Sequence, residues 1–370
     1  MVNVPKDANV VGSKWVFKAK KDTSGNMVRY KARLVAQGFS QVPGVNYFDT
    51  FAPITRLASI RTVLAFTAAE HYETGQIDIK STYLNGKLTS DEVIFMKQAP
   101  SYEEAGDEEG VKVYRLKKSL YGLKQAGYRW YQKLVEIMTK LGFKRCEGDQ
   151  AVFYRCCEST GVMIIVLVHV DDCTIVGKSQ KLVDRFKAEI KKHVNIMDMG
   201  DLHWILGIEV HRIREEKKLL LSQKAYIKSI LRCYRFEDLK PTSTPMDPAS
   251  RLIMIQSPAT TEEYAAMKHV PYHEAVGSLT YATLGTHPDI CYTVQTVSKF
   301  NNKPGLAHWE AVERIFRYLI GTKNLWLCYG SLTKELLGYT DADGSMSKDR
   351  QAISGYAFMV NGGAVSWSTK

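Results

Sequence analysis

The stretch VMIIVLVHVDDCTIVG, residues 162–177, limits what this chain can become more than any other segment. Seven successive apolar residues are followed by His169, Val170 and two adjacent carboxylates, Asp171 and Asp172, before the apolar pattern resumes. A β-branched apolar run of this length predicts a buried strand, and Asp at its end is a favoured turn residue, so the whole stretch reads as a hairpin. Two like charges held against buried strands are costly unless a cation neutralises them. The pair is therefore either an ordinary turn or two ligands of a divalent ion. The second reading needs a third carboxylate, and Asp78 is the available candidate, mid-strand in QIDIKSTYLNG with Gln76 and Lys80 on the polar face and Ile77 and Ile79 on the other. With two ions a few ångströms apart, such a site activates a 3′-hydroxyl and holds a leaving pyrophosphate.

The rest of the chain predicts an α+β protein. KWVFKAKKDTSGNMVRYKARLVAQGF alternates and breaks at DTSGN, which predicts a two-stranded hairpin with cations on both arms. SIRTVLAFTAAEHY predicts a helix capped by Ser59 and ending before Gly75. SLYGLKQAGYRWYQKLVEIMTKLGF predicts a loop over 122–127, then a helix with Trp130, Leu134, Met138 and Leu141 on one side and Gly142 as its stop. AVFYRCC predicts a strand, and KLVDRFKAEIKKHV a helix with Leu182, Val183, Phe186 and Ile190 on one face. LHWILGIEVHRI and KKLLLSQ predict a second hairpin, followed by a helix with Ser222 as its cap. KPTSTPMDPASRLIMIQSPATT, with four prolines, predicts an extended linker. Helices over YHEAVGSLTYATLGT and HWEAVERIFRYLIGT follow, the latter ended by Gly321, and three strands close the chain.

Composition narrows the function classes. With 370 residues and 45% hydrophobic content the chain has enough apolar material for two or three domains. Fifty Lys and Arg against 39 Asp and Glu leave a net charge of +11, which favours an anionic partner, nucleic acid first. The excess is concentrated: residues 1–35 hold eight basic and two acidic residues and residues 112–145 hold ten and one, while SYEEAGDEEG between them carries five acids and reads as a solvated loop. Tyr30, Tyr114, Tyr121, Tyr128, Trp130 and Tyr131 lie among these cations, which suits phosphate contact with base stacking and equally suits amphipathic elements with wet basic faces. Seven cysteines without a CxxC pair argue against a zinc site or disulfide framework. The pair His269 and His273 has no further ligands nearby and reads as ordinary histidine. No apolar run approaches the ~20 residues that span a bilayer, and the amino terminus lacks a secretory signal's apolar core.

Five motifs in order, KWVFKAKKDTSGNMVRYKARLVAQGFSQ, QIDIKSTYLNGKL, VYRLKKSLYGLKQAGYRWY, VHVDDCTIVG and AVGSLTYATLGTHPDICYTVQTVSKF, resemble the reverse transcriptase of copia-type retrotransposons over nearly the whole chain. The resemblance implies a right-hand polymerase of fingers, palm and thumb with an antiparallel palm sheet, a helical connection and a partial ribonuclease H-like β segment. It implies domains at 1–239 for fingers, palm and the start of the thumb, 240–268 for the linker, 269–330 for the helical thumb or connection, and 331–370 for the ribonuclease H-like start. Asp78, Asp171 and Asp172 match the catalytic, metal-binding carboxylates, with two magnesium ions as cofactor and manganese as the alternative. Tyr83 matches the aromatic gate that lies against the nucleotide sugar, Gln125 the glutamine lining the incoming nucleotide, and Lys31 and Arg33 the cations gripping its triphosphate, with Lys18 and Lys20 as further contenders. Asp341 matches the first ribonuclease H carboxylate; the remaining acids of that domain lie in none of the segments matched, so no ribonuclease H activity is expected.

Partners implied are an RNA or DNA template with primer and deoxynucleoside triphosphates, with no membrane and an undefined oligomeric state. The compartment implied is the cytoplasm, in virus-like particles, with the nucleus as the alternative and secretion excluded. The sequence departs from the family at His169, where tyrosine is usual, at Thr82, where a small residue precedes the gate, and at Gly344, where tryptophan is usual. These departures, with the absence of protease, integrase and gag-like segments, suggest a polyprotein fragment, possible readings being an active polymerase, an inactive relic that still binds nucleic acid, and an interaction protein whose Asp pair is only a turn.

Overall fold

A computed structural model describes residues 1–21, 26–104, 111–156, 162–330, 335–343 and 353–370. Residues 22–25 of the DTSGN turn, residues 105–110 of the acidic loop, Cys157 and Gly344 fall outside the described residues. The chain divides into two compact units, one of residues 1–55 and 75–200, the other of residues 56–74 and 201–370.

The first unit is organised on a six-stranded sheet in the order Ile196–Gly200, Glu73–Ile79, Asp172–Gly177, Met163–His169, Val152–Cys156 and Lys144–Arg145. The 162–177 stretch forms the expected hairpin, in register from Ile164 opposite Gly177 to His169 opposite Asp172. Alternation decides what each face does. Ile77, Ile79, Ile164, Val166, Val168, Cys173 and Ile175 share a core with Trp130, Leu134 and Met138 of the helix Ala126–Lys140, and with Val183, Phe186 and Ile190 of the helix Gln180–Lys191. Residues of the opposite parity, Asp78 and Asp172 among them, are directed to the other face.

Two smaller pieces complete this unit. Val2–Asn3, Lys112–Arg115, Phe95–Met96 and Val10–Val11 make a four-stranded sheet over a cluster of Val11, Ala36, Ile94, Met96, Leu123 and Ala126. The cationic hairpin is a two-stranded ribbon, Ser13–Lys21 with Met27–Ala36. Lys18 lies opposite Lys31 and Lys20 opposite Arg29, a like-charge pairing that destabilises a ribbon by tenths of a kcal/mol per pair, about 0.2–1.

The second unit holds the helix Leu57–Glu70, a sheet of Trp204–Ile205, Ile208–Ile213, Lys218–Ser222 and Leu327–Tyr329, the helices Lys224–Cys233, Tyr272–Gly285, Cys291–Ser298 and Leu306–Thr322, and a meander of Leu336–Asp343, Ile353–Val360 and Gly363–Thr369. Ile227, Leu279, Val294, Val312, Phe316 and Leu319 lie in one helical core. Arg61, 5% exposed, donates from Nε to Val365 O (2.8 Å) and from Nη1 to Leu284 O (2.5 Å) and Gly285 O (3.0 Å), with its guanidinium over the Trp367 ring. Among the described residues no helix is long and apolar enough to cross a membrane.

Several boundaries differ from expectation. The helix expected from Ser59 begins at Leu57 and ends at His71, which takes the left-handed conformation (φ 55°). Gly75 is therefore not a helix stop but part of a strand, where a Cβ would lie 2.6 Å from Val183 Cγ1. The linker is not extended throughout: a 3-10 turn, Met254–Gln256, interrupts it, and the Thr260 hydroxyl and Glu263 cap a short helix, Thr261–Met267. Gly321 lies inside the Leu306–Thr322 helix. Ser222 ends a strand, although its Oγ still accepts from Lys224 N at 3.1 Å.

Candidate active site

The hairpin turn is held from several sides. Val170 adopts φ 61°, a costly conformation for a β-branched residue. Its carbonyl accepts from Trp130 Nε1 at 2.8 Å, and the Asp171 carbonyl accepts from Ile79 N at 2.8 Å, joining the turn to the Asp78 strand. On the strand that leads into the turn, Val168 is bracketed by the distant Thr55, whose Oγ1 donates to Val168 O (2.7 Å) and accepts from Val168 N (2.9 Å). The sequence carries no sign of Thr55 and Trp130 as turn supports, because their partners are backbone atoms that leave no residue signature.

Asp78 and Asp172 both feel the charge of Asp171. Burial and then the charge of Asp171 push the Asp78 carboxyl above its usual range, while Lys31, Lys20 and Lys80 oppose the shift. The same causes, with Asp78 added, raise Asp172. Burial, followed by the charges of Asp172, Asp171 and Asp78, also pushes up the Cys173 thiol. Three hard oxygen donors, two of them raised in proton affinity by the charge of the third, Asp171, are the donor set a divalent cation relieves. They are not drawn into a closed cage: among the described residues no three His, Cys, Asp or Glu side chains form a ready-made metal cluster. His169, cross-strand from Asp172, has a buried Nδ1 with no hydrogen-bond partner among the described residues.

The other expected residues divide. Tyr83 follows the Asp78 strand in the 3-10 turn Thr82–Asn85; burial, the Asp171 charge and neighbouring Tyr121 raise its phenol. Lys31 is depressed by burial and by Arg33, Lys20 and Arg29, with Asp78 acting against them. Arg33 lies over the Tyr121 ring at 5.0 Å. Gln125 is fully buried: its Oε1 accepts from Gln41 Nε2 (3.1 Å) and its Nε2 donates to Asn46 O (2.9 Å), so its amide is already spent within the protein. Asp341 belongs to the second unit, exposed on the meander opposite Gly355.

Sheet, carboxylates and cationic ribbon belong to one compact unit, and comparison with known proteins shows its family. Residues 1–248 match the family described as reverse transcriptase (RNA-dependent DNA polymerase). The chain is 41% identical over its full length to a retrovirus-related Pol polyprotein from transposon TNT 1-94 of Nicotiana tabacum, covering 28% of that protein. It is 34% identical over 99% of its length to the Pol polyprotein from transposon RE1 of Arabidopsis thaliana, covering 24% of it. A putative transposon Ty5-1 protein of Saccharomyces cerevisiae is 30% identical over 80% of the chain, with 92% of that protein covered. The chain belongs to the reverse transcriptase family, in its copia-type retrotransposon Pol branch. It spans about a quarter of the length of the plant polyproteins it matches.

Proposed function

We propose that this chain performs RNA-directed DNA synthesis, adding deoxynucleotides to a primer on an RNA or DNA template. The observation that carries the reading is the coupling of Asp78, Asp171 and Asp172, brought from two adjacent strands to the polar side of one sheet turn. Bound by these carboxylates, two magnesium or manganese ions would supply activation of the primer 3′-hydroxyl and neutralisation of the leaving pyrophosphate. The chain's own residues do the remaining work. Asp171, at the turn, and Asp78, on the neighbouring strand, orient the reacting groups; Lys31 and Arg33 bind triphosphate oxygens, one as a point charge and one as a fork. Tyr83 lies against the sugar and disfavours a 2′-hydroxyl. Gln125, tied to Gln41 and Asn46, sets the loop that faces the base and does not itself touch it.

In this reading the ribbon is the fingers, the six-stranded sheet the palm, and the start of the thumb lies within 1–239. Residues 240–268 lead to the helical 269–330 region, and 331–370 is ribonuclease H-like with Asp341 on its first strand. The like-charge pairs of the ribbon are relieved by nucleic-acid or nucleotide phosphates. Intracellular particles remain the proposed compartment. Primer extension by purified protein on a primed RNA template, with magnesium and deoxynucleotides, tests the reading. Extension by the wild type and none by Asp171→Asn is expected; salt-sensitive binding without extension would leave only a nucleic-acid-binding relic.

A further inference from the structure

Tyr121 takes part in none of the roles assigned above, yet three elements far apart in sequence meet at its ring. It lies in the loop before the Ala126–Lys140 helix. The Arg33 guanidinium, from the ribbon, is 5.0 Å from the ring centroid on its face. The Tyr83 ring, from the turn after the Asp78 strand, meets it with centroids 5.0 Å apart and planes at 71°, an edge contact. A cation on an aromatic face and a neighbouring ring edge-on are both favourable arrangements of the ring quadrupole.

The backbone leaves this ring little freedom. Ala36 N, at the base of the ribbon, donates to Tyr121 O at 2.8 Å. The next residue, Gly122, has φ 91°, and a Cβ there would lie 2.0 Å from Ala36 O. Loop and ribbon base are in contact so close that only glycine fits, which holds Tyr121 at a constant distance from the strand that carries Arg33.

We propose that Tyr121 is a positioning residue for nucleotide selection: its face holds the Arg33 guanidinium for the triphosphate and its perpendicular ring contact props Tyr83 against the sugar. One ring then sets phosphate affinity and sugar discrimination together. The inference rests on the polymerase reading above. Neither contact uses the Tyr121 hydroxyl, so Tyr121→Phe keeps both and Tyr121→Leu removes both.

The test compares wild type, Tyr121→Phe and Tyr121→Leu in the full chain with a primed template, measuring equilibrium binding of dATP and of ATP, and KM and kcat for single-nucleotide incorporation. Tyr121→Leu is expected to weaken dATP binding roughly five-fold, the scale of one cation–π contact, to narrow the dATP-to-ATP preference at least three-fold, on the order of one aromatic pair, and to leave kcat nearly unchanged. Tyr121→Phe should match wild type. A purely structural role would lower the active fraction and hence kcat while leaving KM and the sugar preference alone. The proposal is overturned if Tyr121→Leu keeps wild-type affinity and preference, or if Tyr121→Phe is as impaired as Tyr121→Leu. Should Tyr121→Leu fail to fold, Tyr121→Trp decides: the better cation–π face must tighten dATP binding, and unchanged or weaker binding overturns the proposal. Wild type that prefers dATP in binding but extends no primer sinks the catalytic reading alone, and the binding ratios then decide the role of Tyr121. Wild type that binds neither nucleotide sinks both.

Discussion

Replacing Gly122 with alanine tests whether the loop and the cationic ribbon really share one tight contact. The new Cβ would lie 2.0 Å from Ala36 O and 2.6 Å from Val35 Cγ1, with the backbone at φ 91°. The oxygen belongs to a paired strand residue, Ala36 opposite Ser13, so it cannot swing aside as a side chain would. A side chain in left-handed backbone costs about 1–2 kcal/mol, and relieving the overlap by moving packed backbone costs about 1–3 kcal/mol more. The displaced loop also gives up the hydrogen bond from Ala36 N to Tyr121 O, a loss of about 1 kcal/mol. A total near 4 kcal/mol in a unit of this size lowers Tm by roughly 10 °C. Scanning calorimetry reads the shift, and hydrogen exchange reads whether the Ala36 amide loses protection. A Tm within 1 °C of wild type together with unchanged Ala36 protection would refute the contact and with it the rigidity assigned to Tyr121.

Further outcomes follow from the same geometry. Because Asp78 and Asp172 are raised in the folded protein, their contribution is fully present below the unfolded carboxylate range and is lost as pH rises through their folded values; metal-free protein should therefore weaken from these groups as pH climbs above ~4. Asp171→Asn removes the charge that both feel, so it should flatten that slope in metal-free thermal melts while abolishing extension; a steeper slope would contradict the coupling. His169→Tyr removes a buried nitrogen without a partner and should raise stability by about 1 kcal/mol in urea titration; a loss would show that Nδ1 is satisfied in solution. Arg61→Met leaves three carbonyls without their donor and the Trp367 ring without its cation, and should cost about 3 kcal/mol in the second unit, seen as early exchange at the end of the Tyr272–Gly285 helix. RNA affinity should fall linearly in log–log form with salt, and Lys18→Gln with Lys20→Gln should reduce the slope by about 1–2.

Much of the architecture was readable along the chain because it is local. The 162–177 hairpin, the ribbon and the Asp78 strand announce themselves by apolar alternation, and side-chain period alone separates Asp78 from Ile77 and Ile79. Short-range signals misled where a distant neighbour decided the matter. Gly75 resembles a helix stop and is instead a strand residue with Val183 pressed against it. Gly321 looks like a terminator and sits in a helix. Ser59 has the chemistry of a cap, but the helix starts two residues earlier.

Motifs named the candidate site residues, and the family membership agrees with the resemblance they carry. Residue types in one chain cannot say which charges share a field, which amide is already engaged, or which ring lies beneath a guanidinium. The raised proton affinity of Asp78 and Asp172 depends on two strands far apart in sequence becoming neighbours. Gln125 is withdrawn from the surface by Gln41 and Asn46, and Arg33 and Tyr83 are joined by Tyr121. By itself, then, the sequence determined the local elements and the family and named the candidate carboxylates, since these depend on periodicity and residue chemistry. Tertiary structure alone decided the electrostatic coupling of those carboxylates, the engagement of Gln125 and the place of Tyr121, because Coulomb interaction, burial and ring contact depend on distances that only the packed fold supplies.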